Sequence, residues 1–216
     1  MEIYLFKTSD SVLFRKLLEE AVATKRHGSI NWNIPPDSVE TKWVKDQYAG
    51  CFQTKGDTTS LLINTNCYDV ISTLADSLSS PLLCVLFQEK SFWETSLFVG
   101  QDQKVRFSTC PAEWGEDEAK KYFCNPAVLA NIWGVPVEKF DRYLIDWGLT
   151  TVWVEKLQIM SPTYKKRGEK AYLSDTYEYG DLDQGFDFIN ALGAANPQEG
   201  ERFTVHLPPI HLARRS

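Results

Sequence analysis

Apolar and polar positions in the first hundred residues switch between a period of two and a period near 3.6, the two repeats that separate strand from helix. Residues 2–6 (EIYLF) are a short apolar run and predict a buried strand. Phe14, Leu17, Leu18 and Ala21 then fall at helical spacing. Ser9 or Asp10 stands where a side chain accepts from the first free amides, so a helix is predicted over 10–23. Residues 25–38 (KRHGSINWNIPPDS) read as a loop, with Gly28, Pro35 and Pro36 as breakers. Residues 48–53 (YAGCFQ) and 59–64 (TSLLIN) predict two strands joined by the turn TKGDT.

The clearest helical stripe is Cys67, Val70, Ile71, Leu74, Ala75 and Leu78. It predicts a helix over 67–78, with Asn66 as its cap and Asp69 in the first turn, where the helix dipole favours an acid. Residues 82–87 (LLCVLF) form a continuous apolar run and predict a central strand buried on both faces. Trp93, Thr95, Leu97 and Val99 alternate with Phe92, Glu94, Ser96 and Phe98, so 92–99 and 104–109 predict a hairpin around Gly100.

After Cys110 and Pro111 the pattern turns helical. Residues 116–123, 126–134 and 136–148 predict three short helices, with Pro126 and Pro136 suited to first turns and Gly134 and Gly148 to stops. In the last of them Val137, Phe140, Leu144 and Trp147 keep one apolar face. Residues 151–160 (TVWVEKLQIM) predict one strand and 161–170 (SPTYKKRGEK) a basic loop. Residues 202–207 (RFTVHL) predict a final strand, followed by a loose tail. The fold class is therefore α+β: a mixed central sheet with flanking helices and a helical segment after residue 111. It forms a single domain over 1–216 with a subdomain seam near 110–115.

Composition changes this picture little. A chain of 216 residues with 43% apolar and 24% charged residues can bury a full core unaided. No run approaches the roughly 20 apolar residues of a membrane span. The opening MEIYLFKTSD lacks a basic start and a long apolar stretch, so no secretory signal is expected. The five cysteines are widely spaced, without C-x-x-C. They predict reduced thiols and a cytoplasmic protein rather than disulfides or zinc. No cofactor and no metal is expected.

Charge changes the picture more. The net charge is −6, yet Ser174–Glu201 holds seven acids and no base, so that window carries −7 and everything else +1. A broad nucleic-acid footprint is disfavoured, because phosphates demand a basic surface. A localised negative surface instead steers a basic partner.

The acidic stretch DTYEYGDLDQGFDFINALG, over 175–193, invites several chemistries. A calcium loop of the helix-loop-helix kind wants oxygen donors at positions 1, 3 and 5, Gly at 6 and Glu at 12. Counted from Asp181, Gly185 and Leu192 stand at positions 5 and 12, and the match fails. Asp181 or Asp183 as a cap for a helix bearing Phe186, Ile189 and Leu192 explains two acids and leaves Asp175, Glu178, Tyr177 and Tyr179 without a role.

Nucleophilic chemistry would need Cys51 or Cys110 beside one of His27, His206 and His211, and no local signature joins them. Cys67 and Cys84 sit on apolar patterns as core fillers. His206 and His211 are five apart across two prolines, not the helical spacing of metallohydrolases. Phosphate-cradling loops and a nucleophile elbow are absent. Trp114, Trp133, Trp147 and Trp153 read as core, and Trp32 and Trp43 as candidates for the surface.

The expectation that follows is a non-catalytic protein-binding module. Asp175, Tyr177, Glu178, Tyr179, Asp181, Asp183 and Asp187 would form an outward acidic-aromatic face for a basic protein partner. A toxin domain neutralised by a bacterial immunity or antitoxin protein would fit. The alternative is a small hydrolase or transferase using a cysteine or a carboxylate pair.

Overall fold

The computed structural model describes residues 1–32, 47–63, 67–88, 92–155 and 158–206. Asn66, Pro35, Pro36, Trp43, His211 and the predicted tail lie outside them.

The first strand, β1 (Glu2–Phe6), leads into α1 (Ser11–Arg26). The Asp10 carboxylate accepts from the Leu13 amide at 2.8 Å, and the helix stops where His27 turns left-handed. After β2 (Ser29–Asn31) come β3 (Gln47–Lys55) and β4 (Thr58–Ile63). Then follow α2 (Tyr68–Leu78), β5 (Leu82–Phe87), β6 (Trp93–Val99) and β7 (Asp102–Ser108). Beyond residue 110 lie α3 (Glu116–Ala119), α4 (Pro126–Trp133), β8 (Leu149–Val154), β9 (Ile159–Tyr164), α5 (Asp183–Ala191) and β10 (Glu201–His206).

The architecture is α+β. Eight of the described strands form one sheet in the order β2-β10-β3-β4-β1-β5-β6-β7, every neighbouring pair antiparallel. Both faces of its middle are covered, which is why IYLF, after Glu2, reads as an unbroken apolar run. Tyr4 and Phe6 join Phe14, Leu18, Val70, Ile71 and Leu74 in a core under α1 and α2. Ile3 and Leu5 join Leu83, Val85, Trp93 and Leu97 in a second core on the opposite face. That second core is closed by Leu129, Trp133, Phe140, Trp147 and Phe188, so residues from both sides of the expected seam share it. Fully burying each such Leu or Phe is worth about 1.5–3 kcal/mol.

Gly50 on β3 faces Phe203 on β10, and the ring fills the space a side chain would occupy. A Cβ built at position 50 would stand 2.4 Å from the ring. That close approach is why a glycine is found mid-strand here.

Several sequence expectations need correcting. The predicted loop 25–38 contributes a short strand, β2, which pairs with β10. The single strand expected over 151–160 is the first half of a hairpin: β8 and β9 pair with Trp153 opposite Met160, and β9 takes up the start of the predicted basic loop. The helix expected over 136–148 tightens into a 3-10 turn at Val137–Phe140 and then breaks. Phe140, Tyr143 and Trp147 are still buried, but the Trp147 amide donates to the Thr109 carbonyl at 2.7 Å, which pulls the chain out of helical register. The helix over 116–123 shortens to α3 because Phe123 exchanges both backbone bonds with Arg106 of β7. Cys84 and Leu86 of β5 are only half-buried. Trp114 and Trp153 are exposed rather than core, whereas Trp32 lies against Phe52 and Phe203 under the Arg15 guanidinium.

Candidate functional site

The acidic stretch begins against the turn that follows β9. The Gly168 amide donates to the Tyr179 carbonyl at 3.3 Å, and the Tyr179 amide donates to the Glu169 carbonyl at 2.8 Å. Burial then alternates: Asp175, Tyr177 and Tyr179 point inward, Thr176 and Glu178 outward. A period of two with rings on the inner face is the pattern of an extended segment laid over a core. Tyr177 and Tyr179 are accordingly members of the second core, beside Tyr143 and Phe188, and not surface rings.

Asp175 is the inward acid. Its side chain is 1% exposed and pairs with the Arg142 guanidinium at 2.9 Å. It also accepts from the Tyr172 amide at 3.1 Å, while its backbone carbonyl accepts from Lys170 Nζ at 2.8 Å. A buried carboxylate demands such pairing, because desolvation costs more than any lone contact returns. Arg142 also lies over the Tyr172 ring at 4.6 Å.

Sequence reasoning missed the residue that locks this region to the sheet. Gln184 is fully buried at the start of α5; its side-chain carbonyl accepts from the Trp93 indole at 3.0 Å and its amide donates to the Arg142 carbonyl at 2.9 Å. Next to it Gly185 stands so close to Phe87 and Trp93 that a Cβ would meet the Phe87 ring at 2.6 Å. A polar residue followed by glycine inside an apolar helical stripe was the available signal.

Tyr143 donates to Asp187 Oδ2 at 2.7 Å; burial, then that bond, pushes the Tyr143 hydroxyl up to about 12. Burial likewise raises the Tyr177 hydroxyl, with the neighbouring Tyr143 adding to it. Asp181 Oδ1 accepts from the Asp183 amide at 3.0 Å, so Asp181 fastens the first turn of α5.

The seven expected site residues thus divide. Asp175, Tyr177 and Tyr179 are internal; Glu178 and Asp183 are exposed; Asp181 and Asp187 are half-buried. The bonds from Gln184 and Asp187 bring the turn 137–146 beside α5, and with it Glu138, Asp141 and Asp146 against Lys139 and Arg142. Over 137–146 and 175–187 eight carboxylates face two bases, a difference of six charges. The strapped basic turn, with Lys165, Lys166, Arg167 and Lys170 against Glu169, borders the region. Glu178, Asp181 and Asp183 form no ion pair among the described residues.

The cysteines are set for inertness. Cys51, Cys67 and Cys110 are buried, and all five are free thiols. Burial pushes Cys51, Cys110 and Cys124 up to about 11, and Cys84 higher still. For Cys51 the charge of Arg202 opposes burial without matching it. A nucleophilic thiolate needs the opposite setting. His27 closes α1 through its backbone, and His206 on β10 bonds Thr204 at 3.2 Å. Among the described residues no group of three His, Cys, Asp or Glu is placed to hold a metal, and no helix is long and apolar enough to cross a membrane. No protein family, curated protein or solved structure matches this chain.

Proposed function

We propose that this protein is a non-catalytic binding module that docks a basic protein on the acidic face formed by 137–146 and the residues leading into α5. The observation that carries the reading is the excess of six negative charges over 137–146 and 175–187, segments joined by the Gln184 and Asp187 bonds, with Glu178, Asp181 and Asp183 in no ion pair among the described residues. Such a field raises association rates and selects partners of opposite sign. Tyr177 and Tyr179 serve the reading from inside, by holding the acidic segment rigid, rather than as contact residues. A nuclease toxin, whose nucleic-acid cleft must be basic, has matching chemistry. Binding one would make this an immunity or antitoxin protein of the cytoplasm, a setting that suits five free thiols.

The test compares two variants of equal charge change in capture from the native host. One carries Glu138→Gln, Asp141→Asn, Glu178→Gln, Asp181→Asn and Asp183→Asn. The other carries Glu19→Gln, Glu20→Gln, Glu113→Gln, Glu116→Gln and Asp117→Asn. A basic partner weakened about tenfold or more by the first set and held by the second supports the proposal. Equal retention by both overturns it.

A further inference from the structure

The sheet face that carries α1 and α2 is covered only in part. Along β5 and β6 burial alternates: Leu83, Val85, Phe87, Trp93, Thr95 and Leu97 point to the second core, whereas Cys84, Leu86, Glu94, Ser96 and Phe98 point the other way and stay half-buried. The result is a groove of about 180 Å³ floored by β1, β5 and β6. At one side Tyr68, at the start of α2, stands edge-on to Phe98 with ring centroids 6.0 Å apart. At the other, the Tyr122 hydroxyl donates to Glu94 at 2.5 Å.

Two carboxylates line this groove. Glu2 is opposite Leu86, and Leu86 is opposite Glu94, so the three form one row across adjacent strands. The strand spacing separates the two acids by about 10 Å at their Cα atoms, with Leu86 between them. Each acid is held by its own donors: Tyr4 bonds Glu2, and the Trp114 indole donates to Glu94 at 2.8 Å. Burial, reinforced by the bonded carboxylate, raises the hydroxyls of Tyr4 and Tyr122, which keeps them as donors. Two cations stand near the groove without lining it. Arg106, opposite Ser96, lies over the Tyr122 ring at 4.5 Å and pairs with Glu118 at 2.7 Å, and the Met1 ammonium donates to the Phe87 carbonyl at 3.0 Å. The groove therefore joins negative charge at both ends to an apolar floor and aromatic walls, with no cation of its own among the described residues.

We propose that this groove binds a small organic ammonium ion with an apolar body, an arylalkylamine being the class that fits. The ammonium would lie on Glu94 or Glu2 as a charge-assisted hydrogen bond, and its ring over Leu86 against Phe98 and Tyr68. Its volume suits one ring and a short chain. Neutral and anionic analogues lack the feature both ends select. The site is separate from the acidic docking face: α5 packs on Phe87 and Trp93, which point to the opposite side of the sheet.

The test is a titration with phenethylamine, followed by amide NMR shifts of Cys84, Leu86, Ser96 and Phe98. Phenylethanol and phenylacetate serve as neutral and anionic partners with the same ring. A ligand of this size should bind near the millimolar range. The amine should bind about tenfold or more tightly than the alcohol, and the acid should leave the four amides unmoved. Glu2→Gln and Glu94→Gln, which preserve shape and an acceptor oxygen, should each weaken the amine several-fold. Ser96→Met, which keeps both carboxylates, should block binding by filling the floor. Equal shifts from amine and alcohol, or shifts spread over surface carboxylates instead of these four amides, would overturn the proposal. The comparison of ligands on the unaltered protein decides it even where a variant fails to fold.

Discussion

Replacing Arg142 with Met should destabilise the protein by about 3 kcal/mol, because it strands Asp175 as a buried charge. The Asp175 side chain is 1% exposed, while that of Arg142 is 29% exposed. The two halves of the pair therefore differ in what they lose. Without Arg142 the carboxylate keeps, among the described residues, only the Tyr172 amide and has no access to water, which places the cost at the lower end of the roughly 3–5 kcal/mol seen when a buried pair is broken. Without the acid, as in Asp175→Asn, the guanidinium still reaches solvent and the amide oxygen can still accept from Tyr172, so about 1–2 kcal/mol is expected. The double variant leaves no stranded charge and should be less destabilised than the sum, with a coupling of about 1–3 kcal/mol. Urea denaturation reads all four corners of the cycle. In thermal unfolding the Arg142→Met change corresponds to about 6–12 °C for a chain of this size. Were Asp175 instead a surface docking residue, both single substitutions would fall within about 0.5 kcal/mol of the parent, and strict additivity would equally refute the argument.

Four further outcomes are expected. Gly50→Ala should cost about 1–3 kcal/mol in urea unfolding, since its Cβ would stand 2.4 Å from the Phe203 ring; a variant as stable as the parent would show that β10 shifts freely. Cys51, Cys110 and Cys124, raised from an ordinary value of 9.0 to about 11, should react with a disulfide reagent at neutral pH far more slowly than free cysteine. The same raised values make the folded state the tighter proton binder. The stability they contribute is intact below pH 9 and is lost as pH rises toward about 11, which urea midpoints across that window would check. Trp153→Ala should change stability by under about 0.5 kcal/mol because that ring is 57% exposed, whereas Trp147→Ala, fully buried, should cost about 3–5 kcal/mol; similar losses from both would contradict the placement of the β8–β9 hairpin.

Elements with a strong repeat were legible in the chain. The apolar stripe of α2, the alternation of β6 and the short runs of β1 and β5 each bury enough surface to fix their own conformation. Elements held by distant partners were not. β2 has three residues and exists because Thr204–His206 supply its hydrogen bonds. The chain after Pro136 carries a helix-like apolar spacing, but Thr109 captures the Trp147 amide and the repeat is met by turns. The candidate site shows the same division. Its charge was visible in the composition of 175–187, but Asp175 is paired inward by Arg142 and Gln184 is bonded by Trp93, both remote in sequence from that stretch. The turn 137–146 meets α5 through bonds of Arg142 and Tyr143 that no local repeat announces. The Glu2 and Glu94 row is set by strand register, which spacing along one strand does not reveal.

The placement of β10 constrains how the molecule can be made. This late strand lies inside the sheet, between β2 and β3, and pairs Thr204 with both Asn31 and Ala49. Until it leaves the ribosome, β3 presents an unsatisfied edge and β2 has no neighbour to order it. Closure over so long a sequence separation is slow. The nascent polypeptide must therefore carry an exposed, pairing-competent edge from the emergence of β3 until that of β10, the interval in which aggregation and chaperone capture compete with folding.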